Sequence, residues 1–467
     1  MRRISGVSRK LRLRIGRFFK SIRRPFAWLN RLFDRRPWIY GIVVAVVIVV
    51  AALCRLWAAP ISAGPDVGQF WGFAKMFQLH GLDFYRYADG TDPIFPVSGW
   101  GFVYPPVWLI FLRIALLASP GSTATSFMVD VSWRVAMKTP IMAADLAIGG
   151  LLLWAIPGSK LKKLGFASIW LFHPTSWYNS AVFGQFDAIA AALLLASVLL
   201  FTRGKDRWGF VVGSLAVMTK QHAALPFLLV LVAVSRQIPW RRFVANCTIV
   251  AGMLAAFSVP FLLTGNLIPY ARSVLLPAEF PAYQEPLVFA FSGPGAVITY
   301  LHDVFHWTIE GLLRYSTPLL VAGTLAAAVV CYVKRVNVAQ AALIGILIFV
   351  GLFYRVNYQY LVIYLPLAIF AIATSQTWAE KGLAIALVVV PAVWIWLFDI
   401  SFWFWYQAPK DVGATDLLAR VGLTHNVPDY AYVSLAGTIM LLCLAYVVVE
   451  LALRPRGSPE VQAASSH

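Results

Sequence analysis

The stretch PISAGPDVGQFW, residues 60–71, places a lone carboxylate, Asp66, among glycine, proline and aromatic residues, directly after an apolar run long enough to cross a bilayer. An acid there can take a proton from a hydroxyl, or it can simply open a helix, because acids favour helix N-termini. The two uses are compatible. Other polar groups interrupt apolar segments further along. NSAVFGQFDA (179–188) supplies Asn179, Gln185 and Asp187, and MTKQHAALP (218–226) supplies Lys220, Gln221 and His222. YRVNYQY (354–360) supplies Arg355, Asn357 and Gln359, and AMKTP (136–140) supplies Lys138. Ionisable residues at membrane depth are costly and usually face a cavity or one another. Lys220 can therefore hold an anion, snorkel to the interface or pair with Asp187. For Asp187 and Asp145 a structural polar contact is the blander use, and for His222 packing or a hydrogen bond. The sequence contains no glycine-rich phosphate loop, no GxSxG and no His/Cys cluster with zinc spacing. DGTD (89–92) has two acids but reads as a turn.

The elements that must position these residues are membrane helices. Of 467 residues, 60% are hydrophobic and 13% charged, whereas soluble chains are roughly half apolar and a quarter charged. The net charge of +19 does not read as nucleic-acid affinity, because thirteen of the 39 Lys and Arg lie in the first 37 residues, interleaved with Leu, Ile, Phe and Trp. That pattern suits an amphipathic segment on an anionic leaflet, next to a first span that it orients. It is too long, and its apolar run too extended, for a cleavable signal. Cys54, Cys247, Cys331 and Cys443 fall inside apolar runs and read as buried small hydrophobes.

Apolar runs over 38–59, 136–156, 164–182, 187–202, 208–219 with 222–235, 243–264, 312–333, 338–354, 358–373, 380–399 and 431–453 are the candidate spans. Putting the basic breaks GSKLKK, TRGKDR, RQIPWRR, VKR, AEK and RPR on the cytoplasmic side gives about twelve spans with both termini inside. Residues 60–135 are then one long extracytoplasmic loop region, within which 104–118 lies as a re-entrant or interfacial helix. Residues 264–310, with Arg272, Glu279, Glu285, Asp303 and Glu310, and about 400–430 are the other external pieces. All the polar groups named above map to that one face. The expected organisation is a basic cytoplasmic segment (1–37), a single membrane domain (38–454) and a disordered cytoplasmic tail (455–467). No internal repeat is visible, although many secondary transporters are built from repeated halves.

The ordered set PDVGQFW, GFVYPP, KTPIMAADL, HPTSWYNSAVFGQFDA, MTKQHAALPF and RVNYQYLVIYLPL resembles the C-type (GT-C) polytopic glycosyltransferases. It is most similar to the endoplasmic-reticulum glucosyltransferases that extend lipid-linked oligosaccharide and to their prokaryotic relatives that use polyprenyl-phosphate sugars. The resemblance covers residues 45–236 and 350–367. It implies an all-α, polytopic, GT-C-like fold in which the acid of the first external loop, here Asp66, is the catalytic base. It further implies that Lys220 and Gln221 face the cavity and that Tyr104, Pro105 and Pro106 form the YPP motif. The chain departs from the oligosaccharide-extending enzymes in having Gly68 and Gln69 where a second acid follows the first. It also has Gln185 and Asp187 where they carry His and Gln, and Asn357, Tyr358 and Gln359 where they carry His, Glu and Lys. These departures bear on the sugar and the acceptor more than on the reaction type.

The activity implied is transfer of a hexose, mannose or glucose, from a polyprenyl- or dolichyl-phosphate donor to a lipid-linked or glycolipid acceptor. Asp66 would act as base and the anomeric centre would invert. Lys220, then Arg355 and Lys138, would hold the phosphate, with Gln221, Gln185, Asp187, Tyr104 and Asn357 as further binding residues. No metal or other cofactor is expected, since the leaving group is a lipid phosphate and not a nucleotide diphosphate. The expected partners are the donor, the acceptor and membrane lipids. The expected location is a prokaryotic plasma membrane, or the endoplasmic reticulum in a eukaryote, with an extracytoplasmic active site. The alternative is a flippase or transporter of a polyprenyl-phosphate-linked saccharide, which would spread polar groups through the full membrane depth.

Overall fold

The computed structural model describes residues 27–125, 128–276, 292–375, 377–398 and 429–453. Most of the basic N-terminal segment, Glu279 and Glu285, nearly all of the 400–430 piece and the 455–467 tail lie outside the described residues. A short helix α1 (27–35) leads into α2 (Pro37–Ala58) and α3 (Pro65–His80). A loop with one 3₁₀ turn connects to α4 (Val107–Ala118), and a two-residue antiparallel ladder, Ala124–Thr125 with Met128–Val129, precedes α5 (Val131–Ala155). Next come α6 (Lys160–Leu171) and α7 (Pro174–Trp177), which runs into a π-helical turn, Tyr178–Phe183. Then follow α8 (Asp187–Thr202), α9 (Asp206–Thr219), α10 (Ala224–Ser235), α11 (Trp240–Leu263) and α12 (Leu267–Leu275). The described chain closes with α13 (Gly293–Phe305), α14 (Ser316–Lys334), α15 (Val338–Leu352), α16 (Leu361–Thr374), α17 (Trp378–Phe398) and α18 (Asp429–Val448).

Helix α2 shows how such a sequence folds. Its run of Val and Ile would favour strands in water, but without water every backbone group must be bonded within the segment, which leaves only the helix. Pro37 and Pro65 open α2 and α3, where a missing N–H costs nothing. Trp38, Ile42, Val46, Val49, Leu53 and Leu56 recur at helical spacing on an exposed stripe of α2, while Ala51, Arg55 and Ala58 are buried on the other side. An apolar stripe that large is what a lipid-facing surface requires. Helices α15 and α16, by contrast, are buried almost all round.

Six helical stretches among the described residues are long and apolar enough to cross a membrane: Pro37–Ala58, Val131–Ala155, Trp240–Leu263, Glu310–Lys334, Trp378–Leu397 and Ala431–Ala452. Shorter apolar helices lie between them, and several coincide with the remaining expected spans. The reason is local. The run 164–182 breaks into α6, α7 and the π turn, and 208–235 breaks at Lys220 into α9, a 3₁₀ turn and α10. At 12 residues, α4 is about 18 Å long, short of the roughly 30 Å hydrocarbon thickness. DGTD is a turn: Asp89 accepts from the Thr91 amide (3.0 Å) and hydroxyl (2.8 Å), and Asp92 from the Ile94 amide (2.9 Å).

Buried polar pairs hold the bundle together. Arg55 of α2 donates to Asp145 of α5 (2.7 Å), and Ser180 donates to the same carboxylate oxygen (2.6 Å). Asp145 therefore has the structural use weighed for it. The free cysteines are buried or partly buried in these helices.

A close backbone approach fixes the segment just before Asp66. The Gly64 amide donates to the Phe183 carbonyl (3.2 Å). A Cβ at Gly64 would come 2.3 Å from the Phe183 ring and 2.8 Å from that carbonyl oxygen. Gly64→Ala is therefore expected to lower thermal stability in detergent by about 1–3 kcal/mol. Gly41→Ala, where nothing lies within 4 Å, should leave it unchanged or slightly raised.

Candidate functional site

Asp66, Tyr104, Gln185, Asp187, Lys220 and Gln221, all singled out in the sequence, come together where helix termini meet. Asp66 lies in the first turn of α3 and Asp187 opens α8, so each acid sits at the positive end of a helix. Lys220 is the C-terminal cap of α9, at a negative end. Charge and helix polarity agree at all three positions.

Three consecutive residues join Asp66 to Lys220. The Gln185 amide nitrogen donates to the Asp66 carboxylate (2.5 Å), the Phe186 ring lies 4.5 Å from the Lys220 ammonium, and Asp187 pairs with that ammonium (2.5 Å). Gly184 makes the turn that aims them. It takes a left-handed conformation (φ 79°) at the end of the π turn, and the Asn179 carbonyl accepts from the amides of both Gly184 (3.0 Å) and Gln185 (2.9 Å). A Cβ at Gly184 would meet Val67 at 2.7 Å and the Lys138 side chain at 3.1 Å. The loop therefore fits only as glycine.

Lys220 and Asp187 are both fully buried, and His222 lies 3.3 Å from the second Asp187 oxygen. The rings of Phe186, Tyr104 (5.3 Å) and Tyr360 (5.4 Å) enclose the ammonium. His222 packs against Phe349 and Tyr360. Lys220, expected as the first cation for a phosphate, thus has its charge answered by Asp187, the pairing weighed as its alternative.

Asp66 itself stays partly accessible. Burial pushes its carboxyl up to about 6, against the pull of the Lys220 charge and the Gln185 hydrogen bond, with the Asp187 charge adding to the rise. An acid in a wet external loop would be ionised at its ordinary value. Packing among protein groups raises the carboxyl above that ordinary value, yet at about 6 it is still mostly ionised at neutral pH.

Two other expected ligands, Lys138 and Asn357, have structural work. The Lys138 ammonium is buried among main-chain oxygens of Ala59 (3.2 Å), Ser62 (2.5 Å), Ala181 (2.9 Å) and Val182 (2.9 Å) and the Ser62 hydroxyl (3.3 Å). It ties the exit of α2 to the π turn and offers no proton to a phosphate. The Asn357 side chain accepts from the Tyr358 amide (2.7 Å) and caps a 3₁₀ turn. Arg355 lies with its guanidinium over Tyr354 (5.2 Å), next to Val356, whose carbonyl accepts from the Ser292 amide (2.7 Å). Gln221 and Tyr104 are at the cluster. Gln221 donates to the Val103 carbonyl (2.9 Å), and the Tyr104 carbonyl accepts from the Tyr85 hydroxyl (2.9 Å). The side-chain oxygens of Gln185 and Gln221 are buried and accept no hydrogen bond. Phe186 and Tyr360 were inside the quoted motifs but carried no chemical signal of their own. Their role around an ammonium depends on the packing.

No family model and no curated protein matches the chain. Two crystal structures of ArnT from Cupriavidus metallidurans, one bound to undecaprenyl phosphate and one in the apo state, are similar to it at 14% identity and a TM-score of 0.42. Each likeness covers 87% of this chain and 76% of the other.

Breaking the buried ion pair should be costly on either side. Asp187→Asn or Lys220→Met alone is expected to destabilise the protein by about 3–5 kcal/mol, because each leaves a buried charge unanswered. Removing both should cost much less than the sum, as thermal denaturation of the double variant will read out.

Proposed function

We propose that the chain is a membrane glycosyltransferase that moves a hexose, mannose or glucose, from a polyprenyl-phosphate donor to a lipid-linked or glycolipid acceptor on the extracytoplasmic side. The observation that carries this reading is the environment of Asp66. It is a partly accessible carboxylate held by Gln185, beside a buried ion pair, with a pKa raised to about 6. A general base works best when its pKa lies near the operating pH, and perturbed acids of this kind gather at functional sites.

In the proposed reaction the acceptor hydroxyl gives its proton to Asp66 as its oxygen attacks the anomeric carbon. The bond from that carbon to the phosphate oxygen breaks, and the polyprenyl phosphate leaves with the electron pair. One displacement inverts the anomeric centre. The leaving phosphate is already anionic and needs no general acid, and the reading invokes no metal. Lys220 acts on the base. Its charge keeps the Asp66 carboxyl from rising further, so that the group is mostly ionised at neutral pH. The unfilled oxygens of Gln185 and Gln221 suit sugar hydroxyls, which are donors.

Asp66→Asn should reduce transfer from polyprenyl-phosphate mannose or glucose by at least about a hundredfold, with the purified variant folded and membrane-inserted. A fully active variant refutes the reading, and movement of the lipid-linked sugar across vesicles without a new glycosidic bond would favour a transporter. Because the unprotonated carboxylate is the active form, wild-type activity should fall as pH drops through about 6. Gln185→Leu removes a hydrogen bond that favours the ionised form, so its acidic limb should move to higher pH. An unmoved limb would separate Gln185 from the base.

A further inference from the structure

Four Lys and Arg side chains are buried among the described residues: Arg55, Arg134, Lys138 and Lys220. Three have their charges answered within the protein, by Asp145 for Arg55, by a ring of oxygens for Lys138 and by Asp187 for Lys220. Arg134 is the exception. It is 6% exposed, and its Nε and Nη1 are buried without a hydrogen-bond partner. Leaving a buried charged donor unsatisfied is expensive, so an isolated guanidinium in this position is suited to an anion that comes from elsewhere.

Asp130, one turn earlier, attracts Arg134 across space but makes no ion pair or hydrogen bond with its guanidinium. Its carboxylate is exposed and accepts from the Thr123 amide (2.7 Å) and hydroxyl (3.2 Å). Arg134 also stands in the right place. Its neighbour Trp133 donates from the indole nitrogen to the carbonyl of Val67 (2.8 Å), the residue after Asp66. Lys138, four residues on and so on the same helix face, binds the carbonyls of Ser62 and Val182 (2.5 and 2.9 Å). The first turns of α5 are thus fastened on both sides of Arg134 to the two segments that carry Asp66 and Gln185. The pattern VSWRVAMK, with cations four apart, held this signal in the sequence.

We infer that Arg134 holds the phosphate of the lipid carrier. This rests on the glycosyl-transfer reading above and moves the anion site from Lys220 to α5. A guanidinium binds phosphate through paired N–H groups in a fixed planar geometry, and here it meets the ligand with little competition from water. Neutralising the phosphate as the sugar leaves it would stabilise the departing charge.

The test is binding of undecaprenyl phosphate, undecaprenol and inorganic phosphate to purified protein in nanodiscs, read by thermal shift and by intrinsic fluorescence. Wild type and Asp66→Asn are expected to bind undecaprenyl phosphate and to distinguish it from undecaprenol. Arg134→Gln should weaken that binding about tenfold or more, leave the undecaprenol signal as it was, and keep or raise the melting temperature of the unliganded protein. Arg134→Lys should restore part of the affinity, and it carries the comparison if the Gln variant does not fold. Undecaprenyl phosphate bound by Arg134→Gln as tightly as by wild type overturns the assignment and leaves Asp66 as the base untouched. Equal stabilisation by inorganic phosphate, lost in the variant, would assign the site to a free anion and overturn the lipid assignment. Failure of wild type to bind any polyprenyl phosphate, together with an active Asp66→Asn, sinks the transferase reading itself.

Discussion

A lysine ammonium and an aspartate carboxylate, both removed from water, form the interaction on which the rest of the site depends. Lys220 and Asp187 are 33 residues apart and fully buried. Stripping water from two such charges costs several kcal/mol each unless the geometry answers them well. Here the answers are layered. The carboxylate opens a helix and the ammonium closes another, His222 lies by the second carboxylate oxygen, and aromatic faces surround the cation. The pair fixes the junction of α8, α9 and α10, and with it the loop that carries Gln185. Asp66 is then placed in the field of one ammonium, Lys220, and one carboxylate, Asp187. Its intermediate titration follows from that balance, with desolvation driving the carboxyl up and Lys220 restraining it.

The scaffold achieves this by having helices stop where a simple span would continue. The π turn of 178–183, the break at Lys220 and the left-handed Gly184 each end a helix at the same end of the bundle. Helix ends expose backbone groups that must be answered. Lys138 answers several carbonyls at once, which is why a buried cation beside the site is structural. The long helices keep apolar stripes facing outward, while α15 and α16 give the cluster a buried backing.

Much of the framework was legible in the sequence, because apolar runs bounded by charge leave little freedom in a bilayer. The run 38–59 is α2 at Pro37–Ala58, and 187–202 is α8 to the residue. The gathering of Asp66, Gln185, Lys220 and Gln221 was legible for the same reason, since polar groups in apolar segments seek one another. What each group does there was not. Lys138 and Asn357 both looked like binding residues, and both turned out to satisfy backbone atoms. That outcome depends on which helix end packs beside them. The burial of Asp66 was hidden too, because a loop rich in glycine and proline reads as wet until its packing is known. Arg134 was passed over although AMKTP lies just beyond it, because only its burial without a hydrogen-bond partner for Nε and Nη1 sets it apart.

The central claim is that Asp66 is a carboxylate poised near neutrality by its surroundings. Infrared titration of the purified protein measures this directly, using the protonated-carboxyl band that disappears in Asp66→Asn. The account predicts a midpoint near 6. A midpoint at the ordinary value of about 4 would contradict it.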